Sequence, residues 1–178
     1  MKTKCGGDAP TFIPLRIAVL TISDTRDEHS DTSGQALIER LQTAGHDLAE
    51  RAIVRDDIYC MRAIVSRWIA ADDVQAVLTT GGTGLTGRDN TVRAVKPLLD
   101  KEIDGFGELF RMISYEEIGT STLQSRAFAG IAGNTIIFCL PGSTGACRTA
   151  WDKIIRFQLD RRTTPCNLVE MLPRLQEA

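Results

Sequence analysis

The sequence has few of the residues that build metal centres and disulfide frameworks. It contains two histidines and five cysteines, and no two cysteines have C-x-x-C spacing. An odd number of such cysteines argues against a disulfide scaffold or a structural zinc site. Two histidines are too few for a histidine-rich transition-metal site. We therefore expect a chain of the reducing cytosol, cytoplasmic in location, in which any bound metal is Mg²⁺ held by carboxylates.

Long apolar runs and an excess of positive charge are also missing. No stretch approaches the roughly 18 apolar residues of a membrane span, and residues 1–14 lack the apolar segment of a secretion signal. The formal net charge is -2, so no positive field would attract nucleic acid or an anionic membrane. We expect neither partner, and we expect residues 1–14 to form a flexible tail.

What the sequence does have is the composition of an ordinary globular protein. Its 178 residues are 43% hydrophobic and 25% charged, which is enough for one domain with a substantial core. No internal repeat or linker divides the chain. We predict a single domain over residues 15–162, with residues 163–178 as a C-terminal extension of it.

Four segments of the chain have the pattern of a buried strand followed by a helix. Each is a short apolar run that ends at a polar or glycine-rich turn, after which apolar residues recur at helical spacing. Parallel strands need a crossover, usually a helix, so the series predicts an α/β fold of three layers, with a mostly parallel central sheet flanked by helices on both faces. The predicted strands are residues 16–23, 48–55, 74–80 and 135–140.

The segment between the third and fourth units is harder to interpret. Apolar spacing predicts a helix from near Gly105 to about Glu117. A further helix is predicted through Leu123 and Phe128, with Ser121 as its cap.

The polar turns after the four strands form the candidate site. In open sheets of this kind, ligands bind outside the carboxyl ends of the strands, at a switch in strand order. Four turns at those ends are therefore expected to surround one pocket. They are Ser23-Asp24, Asp56-Asp57, residues 81–89 and residues 141–144.

The third turn has the chemistry of a phosphate loop. Its glycines would let a ligand approach the backbone N–H groups. Arg88 can bind phosphate in a bidentate manner, and Asp89 can bind Mg²⁺ or orient a nucleophile. The alternative is a tight structural turn with an Arg88-Asp89 surface pair.

A dinucleotide site is a second interpretation of the same loop. Residues 82–87 satisfy G-x-G-x-x-G after a strand, which would indicate a nicotinamide or flavin protein. The match lies after the third strand, however, and Arg88-Asp89 separate it from the next helix, unlike the dinucleotide fingerprint.

The acidic pair of the second turn also has two interpretations. Asp57 is well placed to cap the helix that follows, and it is equally suited to hold a magnesium ion. Asp56 is the alternative to Asp57, because spacing alone does not choose between neighbours.

The sequence Thr-Thr-Gly-Gly-Thr-Gly at 79–84, with Arg88-Asp89 downstream, resembles the signature of the MoaB/Mog family of molybdenum cofactor biosynthesis proteins. That family includes molybdopterin adenylyltransferases and the related domain of gephyrin. The similarity covers roughly residues 15–162, and residues 118–125, 146–151 and 165–167 are most similar to the MoaB branch. One departure is Val92-Arg93, where the family often has Pro-Glu. Other matching segments, in chain order, are Ser23-Asp24, residues 105–111, Ser125-Arg126-Ala127 and residues 140–143.

The resemblance implies an activity and roles for particular residues. It implies a nucleotidyltransferase that binds molybdopterin and ATP, transfers AMP to the terminal phosphate of molybdopterin with Mg²⁺ present, and releases pyrophosphate. The alternative within the pathway is a non-catalytic molybdopterin carrier. Asp57 and Asp89 would be the catalytic carboxylates that place Mg²⁺ or the attacking phosphate. The resemblance also implies that the protein assembles as a homotrimer or homohexamer. The substrate- and nucleotide-binding residues would be Ser23, Asp24, Thr80, Gly81, Gly82, Thr83, Gly84, Arg88, Glu108, Pro141, Gly142 and Ser143.

Overall fold

The structure is a computed structural model that describes residues 10–175. A single sheet of six strands forms its centre, in the order β2-β1-β3-β6-β5-β4. The strands are β1 (Arg16–Ile22), β2 (Asp47–Val54), β3 (Ala76–Thr80), β4 (Lys101–Glu102), β5 (Phe128–Ala132) and β6 (Thr135–Leu140).

Helices connect the strands and cover the sheet. Three 3₁₀ segments (Lys96–Leu98, Gly119–Gln124 and Val169–Arg174) and a π-helical turn (Trp151–Ile155) extend or join them. The α-helices are α1 (Thr32–Thr43), α2 (Ile58–Ile69), α3 (Thr91–Val95), α4 (Asp104–Ile118), α5 (Thr144–Ala150) and α6 (Arg156–Gln158).

The sheet is mostly parallel, as predicted. Strands β1, β2, β3 and β6 run in the same direction, while β5 is antiparallel to both β6 and β4. Alternate residues of a strand point to opposite faces, so the sheet separates two apolar clusters. Leu78 of β3 packs with residues of α1, α4 and α5, and its neighbour Val77 packs with residues of α2 and α3. The predicted three-layer α/β fold is therefore confirmed.

The helix predicted through Leu123 and Phe128 is wrong. The chain forms a 3₁₀ segment, Gly119–Gln124, and then the strand β5, which pairs with β6. Alanine and glycine in β5 give no clear apolar period, which is why the pattern misled. The two residues between the strands are Gly133-Asn134, and Gly133 has φ 55°, as a two-residue hairpin turn requires.

The terminal segments and the cysteines bear on other predictions. Most of the tail predicted at residues 1–14 lies outside the described residues, but Phe12 packs against the imidazole of His46 with ring centroids 5.0 Å apart. The four cysteines at 60, 139, 147 and 166 are free thiols. Among residues 10–175, no helix combines the length and apolar character needed to cross a membrane.

The topology fixes where a cleft can form. Strand β1 lies between β2 and β3, so the chain leaves β1 on one side for β2 and then crosses to the other side for β3. Loops on the two sides diverge at such a switch, which opens a crevice at the carboxyl ends of the strands.

Candidate functional site

A cleft of about 650 Å³ lies at the carboxyl ends of β1, β3 and β6. Three of the four predicted turns line it, and the second turn, Asp56-Asp57, does not. The predicted site residues that line the cleft are Ser23, Gly81, Gly82, Thr83, Gly84, Asp89, Pro141, Gly142 and Ser143.

The glycine loop owes its shape to the close packing of these turns. Gly81 and Gly82 have φ of 105° and 64°, values that favour glycine. A Cβ atom on Gly81 would lie 2.2 Å from the carbonyl oxygen of Ile22, at the end of β1. The Gly81 amide donates to the carbonyl of Leu140, so Gly81 supplies shape rather than a free donor, and the ligand-facing amides must come from later in the loop.

Asp89 is the carboxylate that the glycine loop contributes to the cleft. Its Oδ2 accepts hydrogen bonds from the amide and hydroxyl of Thr86, at 2.8 Å and 2.7 Å. Burial by itself would raise the pKa of Asp89, but the bonds from Thr86, the Gly84 amide and the charge of Arg126 bring that pKa below its usual value. Asp89 is therefore ionised at neutral pH and held beside the glycines.

The Arg126 side chain stabilises the main chain of the glycine loop. Its Nε donates to the carbonyl of Thr83 at 3.2 Å, and its Nη2 donates to the carbonyl of Asp89 at 2.9 Å. The guanidinium thus spans the loop between two points six residues apart. Sequence reasoning matched Arg126 to a family segment but gave it no role, because the contact joins residues 37 positions apart.

The structure separates the two carboxylates of the second turn. The Asp57 side chain caps α2 by accepting hydrogen bonds from the amides of Tyr59 and Cys60. These hydrogen bonds hold the pKa of Asp57 below its usual value, and the bond from the Cys60 amide has the largest effect. The Asp56 carboxylate instead accepts from the Asn90 amide and side chain, and its Oδ2 lies 2.9 Å from where a Cβ on Gly82 would be. Asp56, and not Asp57, therefore contacts the glycine loop.

Four other predicted residues lie outside the cleft lining. Asp24 and Arg88 form an ion pair at the surface, and Asp24 also accepts from the Asp56 amide at 3.2 Å. Thr80 is fully buried beneath the cleft, where its hydroxyl donates to the carbonyl of Pro141. Glu108 is exposed on α4. The Asp24-Arg88 pair still links the first turn to the glycine loop, and Asp24 links the first turn to the second.

Arg26 was missed as a cleft residue. Its Nη2 donates to the carbonyl of Gly142 at 3.0 Å, which ties the turn after β1 to the turn after β6. It lies 3.8 Å from Asp31, a carboxylate whose side chain is fully buried. The sequence did offer an indication of this role, because Arg26 is an arginine within a strand-end turn rich in Ser, Thr and Asp.

Asp31 anchors this side of the cleft. It caps α1 through the Gly34 amide and forms an ion pair with Arg51 at 3.0 Å. Burial would raise the pKa of Asp31, but the Gly34 amide, the Thr21 hydroxyl and Arg51 together hold it below its usual value. The carboxylate is therefore charged, buried and fully partnered.

The second missed feature is the wall formed by α4 and the 3₁₀ segment after it. Four residues at helical spacing on α4 line the cleft, and one of them, Ser114, interrupts the buried stripe that begins with Phe106 and Phe110. That interruption of the stripe was the available signal. The lining residues of this wall are Phe110, Ser114, Glu117, Ile118, Ser121, Thr122, Gln124 and Ser125.

The carboxylates suit one kind of metal. Within residues 10–175, no three side chains of His, Cys, Asp or Glu group closely enough to hold an ion. The described side chains therefore do not form a complete metal site by themselves. Mg²⁺ commonly takes one or two carboxylates and completes its shell with water and substrate phosphates, and Asp56 and Asp89 beside the glycine loop fit that requirement.

Comparison with known proteins places this geometry in a family. Residues 18–161 match the family model described as a probable molybdopterin binding domain. The chain belongs to the MoaB/Mog family of molybdenum cofactor biosynthesis proteins. The resemblance of the 79–84 motif to this family is therefore confirmed.

Relatives within the family are similar over most of their length. The molybdenum cofactor biosynthesis protein B of Escherichia coli K12 is 62% identical over 156 residues, which cover 88% of this chain and 92% of that protein. The protein of the same name from Bacillus cereus is 51% identical over 84% of this chain and 89% of its own length.

Solved structures in the family share the fold. A crystal structure of a molybdenum cofactor biosynthesis protein B has a TM-score of 0.83 at 46% identity, covering 93% of this chain and 98% of that one. The tungsten cofactor synthesizing protein MoaB from Pyrococcus furiosus has a TM-score of 0.75 at 35% identity, covering 92% and 98%.

Proposed function

We propose that the protein acts in molybdenum cofactor biosynthesis by binding molybdopterin and transferring AMP to it from ATP. In this reaction an oxygen of the terminal phosphate of molybdopterin attacks the α-phosphorus of ATP. The bond from the α-phosphorus to the bridging oxygen breaks, and pyrophosphate leaves. The observation that carries the proposal is a glycine loop with an ionised aspartate, Asp89, set in a cleft of about 650 Å³.

The glycine loop would hold the phosphates. The backbone N–H groups of Gly82 and Thr83 follow Gly81 in the loop, and both residues line the cleft, so these groups can donate to phosphate oxygens. Gly142 belongs to the same arrangement, since a Cβ on it would lie 3.2 Å from the Cα of Gly81. The loop thus offers donors in a fixed geometry, which positions the reacting groups.

We propose that Asp89 and Asp56 are the carboxylates that hold Mg²⁺. Bound there, the ion would neutralise charge on the phosphates and on the departing pyrophosphate. Asp57 keeps its place as a helix cap. Thr86 fixes the orientation of Asp89, and Asn90 fixes that of Asp56.

Two alternative functions make different predictions. A molybdopterin carrier without turnover would keep the cleft but form no product. A nicotinamide or flavin protein would require the glycine loop to lead into a helix N-terminus, yet Arg88-Asp89 intervene and α3 has only five residues. The second alternative is therefore the less supported of the two.

The experiment is to incubate the purified protein with molybdopterin and MgATP and to quantify pyrophosphate and adenylylated molybdopterin. Equal amounts of both products are expected. Retained molybdopterin binding without either product would favour the carrier. A shift in thermal stability with NAD(P) but not with MgATP would favour the dinucleotide protein.

We also propose that the chain assembles as a homotrimer or homohexamer. The large apolar residues Leu109, Met112, Tyr115 and Ile118 are exposed along α4. Each lies beside the next on the helix surface, because residues three apart are neighbours, and exposed apolar surface of this extent supports an interface there. Ile118 also lines the cleft, so a partner on this surface would lie beside the site. Sedimentation should show a larger species for the wild type and a smaller one for Met112→Glu; an unchanged species would remove α4 from the interface.

The cytoplasmic location stays a prediction.

A further inference from the structure

The wall formed by α4 carries one carboxylate that the proposed reaction has not used. Glu117 lines the cleft. Its two oxygens accept from the hydroxyl of Thr149, at 3.1 Å and 2.8 Å, and Thr149 is buried at 7% exposure. Because a carboxylate has about four acceptor positions, one hydroxyl orients Glu117 and leaves most of its capacity for a ligand.

Glu117 differs from the other charged groups of the cleft. The charged lining residues are Arg26, Asp89 and Glu117. Arg26 is engaged with the main chain of Gly142, and Asp89 belongs to the glycine loop. Glu117 comes from a separate wall, away from the strand ends that form the phosphate-binding loop. It is therefore available to contact the part of a substrate that carries no phosphate.

The chemistry of a pterin ring suits such a carboxylate. One edge of a pterin presents two neighbouring donors, the 2-amino group and the N3–H, and a carboxylate can accept both at once. The corresponding edge of adenine presents one donor and one acceptor, so its ring nitrogen would face a carboxylate oxygen without a proton between them. A carboxylate at this position thus distinguishes the two heterocycles of the reaction.

We propose that Glu117 is a specificity-determining residue that binds the 2-amino and N3–H groups of the pterin ring. The proposal rests on the proposed function in taking a pterin as the ligand. It adds a residue that recognises the ring itself, while the glycine loop recognises phosphate.

The test compares pterin with lumazine, in which an oxo group replaces the 2-amino group. Binding is measured by fluorescence titration at neutral pH for the wild type, Glu117→Gln and Glu116→Gln. Glu116 is the matched control, because it is the exposed neighbour that does not line the cleft. The wild type and Glu116→Gln should bind pterin about tenfold or more tightly than lumazine, since the charge-assisted hydrogen bond from the 2-amino group is lost with lumazine and its 2-oxo group faces a carboxylate oxygen.

Glu117→Gln should lose or reverse this preference. The glutamine oxygen can still accept from Thr149 and from N3–H, while its amide group would oppose the 2-amino group of pterin and can donate to the 2-oxo group of lumazine. Thr149→Val should reduce the preference in part, because Glu117 loses the hydroxyl that orients it.

The outcomes separate this inference from the proposed function. An unchanged preference in Glu117→Gln overturns the role of Glu117 but leaves AMP transfer standing if product still forms. A wild-type protein that binds neither compound overturns the inference, and it overturns the proposed function only if no product forms with molybdopterin and MgATP. A preference that disappears equally in Glu116→Gln would assign the effect to surface charge and would also overturn the inference.

Discussion

Replacing Gly84 with alanine should displace the Asp89 carboxylate without unfolding the protein. A Cβ atom on Gly84 would lie 2.7 Å from Asp89 Oδ2 and 2.9 Å from its Cγ. The first contact is about 0.7 Å shorter than an ordinary van der Waals contact, so the carboxylate must move by a comparable distance. Thr86 then loses the geometry in which its amide and hydroxyl donate to Asp89.

The expected effect is on turnover. A catalytic group misplaced by about 1 Å can cost on the order of 100-fold in rate, so we expect AMP transfer by Gly84→Ala to fall roughly 10- to 100-fold. The melting temperature should change little, because Gly84 does not require a positive φ and alanine reduces the entropy of the unfolded chain.

Gly87→Ala is the matched control within the same loop. A Cβ there would meet nothing within 4 Å, and Gly87 has no positive φ. The assay is the initial rate of pyrophosphate release at saturating MgATP and molybdopterin, with thermal unfolding measured in parallel. Equal rates for the two alanine variants would refute the role assigned to Asp89 in AMP transfer.

Two further predictions concern stability and the division of roles between neighbouring aspartates. Asp57→Ala should lower the melting temperature, because α2 loses its cap, and should spare AMP transfer. Asp56→Asn should reduce transfer by about tenfold or more with a smaller loss of stability. The reverse pattern in denaturation and rate measurements would assign catalysis to Asp57. Asp31→Asn should lower the free energy of unfolding by about 2–4 kcal/mol at neutral pH, because Arg51 loses its buried partner. Since the folded pKa of Asp31 lies below its unfolded value, the contribution is present above about pH 4 and is lost as the pH falls towards the folded pKa. Urea unfolding should therefore show the gap between wild type and variant shrinking in acid, and a gap that widens in acid would contradict this account.

Much of the fold could be predicted because its central strands are continuous apolar runs. Residues such as those of β6 are buried on both faces, so burial leaves a clear pattern in the sequence. Strand β5 escaped prediction because Ala129, Gly130 and Ala132 fit a helix or a strand equally well. Its pairing with β6, three residues onward, decided the structure.

The site could be predicted in part for a related reason. The carboxyl ends of neighbouring parallel strands lie at one edge of the sheet, so the sequence could predict that Ser23, the glycine loop and Ser143 line one cleft. That these residues bind substrate stays a prediction. The choice between Asp56 and Asp57 depended on where α2 begins, which is a matter of one residue. Arg126 and Glu117 act through contacts across 37 and 32 residues of sequence, and no local pattern reports such distances.

The most direct test of the central claim is a structure of the protein with molybdopterin bound. The proposal predicts the terminal phosphate within hydrogen-bonding distance of the amides of Gly82 and Thr83, with the Asp89 carboxylate beside it. A ligand bound with its phosphate away from the glycine loop would contradict the claim that the cleft at these strand ends performs the reaction.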